Sequence, residues 1–360
     1  MRQLKLTKKT IVYVLAPSNV FTGGPELLHQ IAVNIKKIFK VKTKMVYLPN
    51  NESNPVHKNF KNYKLEYSNY IEDKKNNILI IPEYYMFIKY AFKYKNITKI
   101  LWWLSVDNYL GYKFRDDFNK YSRSLIKIPY NIINTFNKIV GYYYGIFTFH
   151  DYLKVIYSFG KIQQSRELGQ INLHLAQSDY AMKFLKEKFK NLKFLSDFQR
   201  PIILKESKKK NKKKSDLICY SSKSNNFIEK LKNFTNFKMI KLSGFNDKQL
   251  INIYKKTKVF IDFGFHPGKD RMPREAALFN NCIITNRKGS ANNHYDIPIN
   301  TKYKITEKKS NLKKIKITIQ KIFLNHKKEL MNFKNYRKKI MNEKLKFDHD
   351  LKKIFIKSKT

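Results

Sequence analysis

Val259-Phe260-Ile261-Asp262-Phe263-Gly264-Phe265-His266-Pro267-Gly268-Lys269-Asp270-Arg271-Met272-Pro273-Arg274-Glu275-Ala276-Ala277 is the stretch on which the fold of this chain is decided. Its short apolar start, residues 258–263, predicts a buried strand. Pro273 suits the first turn of a helix over 273–279, where a missing N–H costs nothing. The loop between them therefore crosses a helix N-terminus, whose free N–H groups and dipole attract anions. Lys269 and Arg271 add full positive charge. Glu275 lies in the first helical turn, where a carboxylate is favoured and can also face a ligand. Two cations, a helix start and one acid suit a nucleoside diphosphate, with the cations on phosphate and Glu275 accepting from ribose hydroxyls. A plainer reading is a surface loop whose acid steadies its own helix. The small pair Ala276-Ala277, which permits close packing, weighs against it.

The same alternation extends both ways. Downstream, Cys282 to Thr285 predicts a strand. Upstream lie strands at 216–220 and 237–242 and helices at 225–232 and 247–255, the latter capped by Asn246. The first half reads as strands at 11–16, 45–48, 77–82, 99–104 and 171–176. Its helices begin after Pro25, run between 82 and 94, and follow the cap Ser178 over 179–190. Strands alternating with helices imply parallel sheets wrapped by helices. Residues 205–215 form a charge block without apolar anchors, read as a linker, with a nucleic-acid tail as the sharper alternative. From Asn311 onward the chain is Lys-rich with apolar residues at helical spacing. The expected division is 1–204, a linker at 205–215, a second domain at 216–310 and C-terminal helices at 311–360.

With 360 residues, two domains are the default. A hydrophobic share of 42 % excludes a mainly disordered chain despite a net charge of +47. Lys far outweighs Arg, and Asn, Ile, Phe and Tyr are abundant. This is how an AT-rich genome writes any protein, so the charge is read as compositional drift ahead of a dedicated polyanion surface. The field still favours anionic ligands and acidic headgroups. Cys219 and Cys282 sit in apolar runs and read as buried, reduced thiols, which points to the cytosol. The run 11–16 is too short for a signal peptide, and no stretch reaches the length of a membrane span.

Pro273-Arg274-Glu275-Ala276-Ala277, followed by Cys282-Ile283-Ile284-Thr285 and the loop Arg287-Lys288-Gly289-Ser290-Ala291, resembles the donor-binding half of GT-B glycosyltransferases. The retaining, glycogen-synthase-like branch is nearest. Thr22-Gly23-Gly24-Pro25-Glu26 is similar to that family's glycine loop. His174-Leu175-Ala176-Gln177-Ser178-Asp179-Tyr180-Ala181 is similar to its last acceptor-domain strand and helix. Cys219-Tyr220-Ser221-Ser222-Lys223 stands where the family has a strand and a phosphate-binding lysine. The resemblance spans roughly residues 11–305. Two positions depart from it. Pro267, beside His266, replaces a carboxylate eight residues before Glu275. Tyr220 and serines replace an arginine ahead of Lys223.

The resemblance implies an α/β chain of two Rossmann-like domains (GT-B) facing a central cleft, with C-terminal helices packing back across the interface. It implies a metal-independent hexosyltransferase that moves a sugar from a nucleotide-sugar donor to a glycan or lipid-linked acceptor in surface polysaccharide synthesis. Donor contacts are expected from Gly23, Gly24, Lys223, His266, Lys269, Arg271, Glu275, Gly289 and Ser290. Trp102-Trp103-Leu104-Ser105-Val106-Asp107-Asn108 ends a parallel strand where open sheets place ligands. From it come the acceptor candidates Trp103, Asp107 and Asn108. Asp107, His150 and Glu275 are the catalytic candidates. Residues 128–149 are aromatic enough to lie on a membrane or to form a buried helix pair. Asp348-His349-Asp350 sits in the Lys-rich tail and is read as chance, so no metal is expected, and no cofactor either. The expected place is the cytoplasm, with peripheral contact at the inner face of an anionic membrane allowed. The rivals are a nucleotide-sugar epimerase on the same fold and a non-enzymatic nucleic-acid-binding protein. No nucleic-acid module appears.

Overall fold

The structure is a computed structural model that describes residues 3–50, 52–109, 166–209, 213–224 and 226–358. The chain divides into two compact units, 1–196 with 347–360, and 197–346.

The first unit is built on a parallel sheet of seven strands. In chain order they are β2 (Ile11–Pro17), β3 (Lys42–Leu48), β4 (Glu66–Tyr67), β5 (Ile78–Pro82), β6 (Thr98–Trp103), β7 (Leu173–Ala176) and β8 (Leu192–Phe194). They lie side by side as β4-β3-β2-β5-β6-β7-β8. β2 to β3 steps one way from the centre and β5 steps the other, so the switch in direction falls between β2 and β5. Helix α1 (Gly23–Phe39) covers one face with Leu27, Leu28, Ile31 and Ile35 buried, as its spacing predicts. Helix α2 (Tyr85–Ala91) and the Ser178-capped α3 (Asp179–Leu185) pack on the other core, with Leu79, Ile81, Leu101 and Trp103. A separate two-stranded parallel sheet joins β1 (Leu4–Leu6) to β13 (Phe355–Lys357).

The second unit carries a parallel sheet ordered β10-β9-β11-β12. Its strands are β9 (Ser215–Ser221), β10 (Met239–Leu242), β11 (Thr257–Asp262) and β12 (Cys282–Thr285). Here the switch lies between β9 and β11. Around the sheet pack α4 (Pro201–Ser207), α5 (Phe227–Phe234), α6 (Asp247–Lys256), α7 (Arg271–Leu278) and α8 (Leu312–Leu324). Then come α9 (His326–Met331), α10 (Lys334–Met341) and α11 (Glu343–Ile354), whose residues from Phe347 onward belong to the first unit. Asn246 and Gln249 form a reciprocal capping box on α6.

Two boundaries differ from expectation. The first division falls after Ser196, not after residue 204, because Ile203 is fully buried in the second core and Arg200 pairs with Asp247 at 2.6 Å. The expected linker overlaps elements at both of its ends, since α4 extends to Ser207 and β9 begins at Ser215, while 210–212 lie outside the described residues. Its charges are partly anchored: the half-buried Lys214 ammonium donates to the Tyr254 and Thr257 carbonyls at 2.7 and 2.6 Å.

Candidate functional site

Three loops meet at the switch point of the second sheet. The first follows β9 and carries Lys223. The second follows β11 and runs from Phe263 to Asp270. The third follows β12 and carries Gly289 and Ser290. Gly264 lets the first two loops pass closely: a Cβ there would lie 3.0 Å from the Lys223 carbonyl, the Lys223 Cβ and Asp262 Oδ1. Gly289, at φ +53°, leaves still less room, because a Cβ would fall 2.0 Å from the His266 carbonyl oxygen. That carbonyl accepts from the Ser290 N–H at 2.9 Å, and Ser290 Oγ donates to the Gly268 carbonyl at 2.5 Å. Ser290, expected as a donor contact, thus spends its hydroxyl on holding the second loop.

His266 is fully buried between two carboxylates. Its Nδ1 lies 3.0 Å from Asp270 Oδ2 and its Nε2 lies 3.8 Å from Asp262 Oδ1. Burial opposes charge on the imidazole, but Asp262 and Asp270 outweigh it and hold its pKa above the ordinary histidine value. Burial likewise pushes Asp262 up, while His266 and Lys223 hold Asp270 below the usual carboxylate range against its burial. Asp270 stands at the N-cap of α7 but makes no capping bond, its carboxylate being turned to His266 and, at 3.4 Å, to the Lys223 ammonium. Asp262, His266 and Asp270 are close enough to hold a metal ion, with ligand atoms all within 4.8 Å. Both ring nitrogens face a carboxylate, which suits a proton on each better than a metal on one.

Lys269 sits elsewhere than expected. Its ammonium is buried, 2.6 Å from Glu343 and 3.7 Å from Asp197. The centre of this network is Arg274, also fully buried. Its guanidinium reaches Glu343 at 2.8 Å, Asp197 at 2.5 Å, and the carbonyls of Lys269 and Asp270 at 3.0 and 3.1 Å. Two cations and two anions balance, so Lys269 has no charge to spare for a phosphate. Glu275 is buried too, with Arg200 3.5 Å from its Oε1. Arg271 is half-buried at the start of α7, its carbonyl accepting from Gln199 at 3.4 Å. Lys223 is the open cation of the group, its side chain 59 % exposed.

In the first unit, the carboxyl ends of β2, β5 and β6 carry Gly23-Gly24, Glu83 and Asp107. Gly23 and Gly24 form the first turn of α1, whose cap Thr22 makes no side-chain bond. Buried Glu26 in the same turn accepts from the Tyr63 hydroxyl, offsetting part of the positive potential there. Asp107 accepts from the Tyr180 hydroxyl at 3.2 Å, and its other oxygen is buried without a hydrogen bond. Burial pushes its pKa up to about 7, against the lowering bond from Tyr180. Burial raises Glu83 to about 8, although the Leu104 N–H donates to it at 3.1 Å. Asn108 is exposed beside Asp107. Trp103 cannot stack on a sugar as expected: it is fully buried, donates to His174 Nδ1 at 3.1 Å, and packs edge-on against Tyr109. Trp102 is equally buried, its N–H on the Leu195 carbonyl. His150 and residues 128–149 lie outside the described residues. Asp348-His349-Asp350 lies on α11, on no strand end.

Sequence reasoning missed Asp197, Asp262, Asp270, Arg274 and Glu343. Asp270 had a signal, a carboxylate placed just ahead of a helix.

No family model matches the chain, and no curated protein does. Solved structures do match. Sucrose-phosphate synthase of Thermosynechococcus elongatus aligns with a TM-score of 0.56 at 9 % identity, over 92 % of this chain and 94 % of that one. A glycosyltransferase of Rickettsia africae aligns at 0.49 and 13 % identity, over 95 % and 98 %. Anabaena HepE, solved with UDP and glucose, aligns at 0.48 and 9 %, over 94 % and 97 %. The first of these likenesses joins the two parallel sheets in defining the architecture: the chain has the GT-B fold, with two Rossmann-like domains.

Proposed function

We propose that the chain is a glycosyltransferase that moves a sugar from a nucleotide-sugar donor to a glycan or lipid-linked acceptor, in the assembly of a surface polysaccharide. One observation carries this reading: within a GT-B fold, the loops bearing Lys223, His266 and Gly289 converge at the switch point of the second sheet. Open parallel sheets take their ligands at such crevices. Lys223 and Arg271 are assigned to the donor phosphates. His266, neutralised by Asp262 and Asp270, is a positioning residue that holds the loop.

In the reaction the acceptor oxygen bonds to the anomeric carbon, the bond from that carbon to the phosphate oxygen breaks, and the nucleoside diphosphate leaves with the electron pair. Preorganised cations stabilise the charge that develops on it. The acceptor proton goes to Asp107, whose pKa near 7 lets it hold and release a proton at neutral pH. Tyr180 orients that carboxylate.

The test is thermal unfolding of the whole chain with UDP, GDP, ADP and their sugar conjugates at millimolar concentration. A nucleotide at a hundred times its Kd adds about 2.7 kcal/mol to the stability of the folded state. The binding donor is then incubated with and without candidate acceptors. Sugar appearing on the acceptor supports transfer. Isomerised donor formed without any acceptor would mean an epimerase, and no stabilisation by any nucleotide overturns the reading altogether.

A further inference from the structure

A second charged feature lies away from the switch point of the second sheet. A cavity of about 570 Å³ opens between α8, α9 and the turn at Thr301–Tyr303. Lys302, Lys313, Lys314 and Lys321 line it, and Glu329 is its one acidic residue. Glu329 is already engaged by the Lys302 ammonium at 3.0 Å and by the Tyr303 hydroxyl.

The placement of these lysines runs against helix electrostatics. Lys313 and Lys314 stand in the first turn of α8, which holds no acid and whose cap Asn311 makes no side-chain capping bond. Asn311 instead donates to the Thr306 carbonyl at 2.8 Å. Positive charge at a helix start is unfavourable, so the face gains from a negative partner. Its chemistry is also amphipathic. Leu312, Ile315, Ile319 and Ile322 turn into the core. Lys314, Ile317, Lys321 and Leu324 recur at helical spacing on the outer face. Ile317 lines the cavity and is 41 % exposed, and Leu324 is 82 % exposed. Met331, at the end of α9, is 62 % exposed. A basic cavity with Ile317 exposed in its lining, and Leu324 further along the same helix face, matches the boundary between charged headgroups and acyl chains. Among the described residues no helix is long and apolar enough to cross a membrane, so contact through such a face would be made from one side.

We propose that the face formed by Lys302, Lys313, Lys314 and Lys321 around Ile317 docks the chain on a bilayer that carries anionic phospholipid headgroups. The docking is independent of the transferase reading.

The experiment is co-sedimentation of the full chain with vesicles of phosphatidylcholine alone or mixed with phosphatidylglycerol, over a series of salt concentrations. Two triple variants are compared: Lys313→Glu, Lys314→Glu, Lys321→Glu on the face, and Lys75→Glu, Lys186→Glu, Lys190→Glu on exposed sites of the first unit. They carry the same net charge, so the general attraction of a +47 chain cancels between them. Each lysine at an anionic surface strengthens binding about fivefold, so losing three costs about a hundredfold and reversing their charge costs at least that, while the control is expected to keep most of its vesicle affinity. Lys313→Glu and Lys314→Glu suit the dipole at the start of α8 and offset Lys321→Glu in its last turn, so the face variant should fold, as circular dichroism will check. Equal losses in both variants, or no loss in the face variant, would overturn the proposal. So would wild-type chain that ignores the mixed vesicles yet is stabilised by inorganic phosphate through these lysines, since that outcome assigns the cavity to a small anion.

Discussion

Replacing Arg274 by methionine probes the interior of the second unit most directly. The guanidinium has no exposure and serves four acceptors: Glu343, Asp197 and the carbonyls of Lys269 and Asp270. Methionine keeps most of the volume and removes the charge. Asp197 and Glu343 would then keep Lys269 as their paired cation, with Arg271 acting on Asp197 only at longer range, so a buried negative charge would be poorly compensated. Breaking a buried ion network in this way costs about 3–5 kcal/mol. With a urea slope of roughly 2 kcal/mol/M, the midpoint should fall by about 2 M. Both tryptophans belong to the first unit, so their fluorescence reports that unit, whereas far-ultraviolet circular dichroism reports both. The shift should therefore appear in the dichroism transition. Its pH dependence follows from linkage. In the parent, burial opposes the charge of Asp197, but Arg274 and Lys269 hold its pKa below the usual value. The stability it contributes is present above the unfolded carboxylate pKa and is lost as pH falls through the lowered folded value. In the variant that pKa rises above the unfolded value, so stability falls as pH rises. The gap between the two proteins should be widest near pH 7, narrow as pH falls, and lose its Asp197 part only below the ordinary carboxylate range, where that group is protonated in both. A loss under 1 kcal/mol at pH 7, or a gap that ignores pH, would refute the network as a load-carrying part of the fold.

Other perturbations test single groups. Asp107→Asn should lower transfer by about 10²–10⁴-fold and flatten a pH–rate profile that in the parent rises through about pH 7, measured at saturating donor. Glu83→Gln should leave stability unchanged below the unfolded glutamate pKa. The parent alone should then weaken as pH climbs to about 8, because its raised carboxyl keeps a proton that the unfolded chain gives up; thermal melts from pH 4 to 9 check this. Gly289→Ala places a methyl against the His266 carbonyl at positive φ, forcing the second and third loops apart. It should cost about 2–3 kcal/mol, from the left-handed backbone and the Ser290 bond, and abolish nucleotide-induced thermal stabilisation.

Periodicity made much of the architecture legible. Strands at 11–16, 77–82 and 282–285 and the capped helices after Ser178 and Asn246 were readable because each is a local apolar pattern closed by a local hydrogen bond. The pairing of β1 with β13 was not, since three residues at each end carry too little pattern. Trp103 looked like a ligand platform because sequence shows its position at a strand end but not that His174 and Tyr109 enclose it. Lys269 looked like a free cation because Glu343, its partner, lies in the Lys-rich tail more than 70 residues on. Charges in a loop can be counted from sequence; whether they are spent on one another depends on residues the fold brings from far away. Lys223 and Gly289 lie on loops that follow strands of one sheet, so their nearness to the second loop follows from the strand order rather than from distant residues.

The pairing of β1 with β13 also bears on how the chain is made. Phe347 packs near Trp102, and Phe355 meets Phe39 edge-on, so the closing segment covers side chains synthesised long before it. All of residues 197–346 must be translated in between, about 10–30 s at ribosomal speed. Through that interval the nascent first unit presents uncovered aromatic surface, and it should then lean on a chaperone that lets go once the last strand arrives.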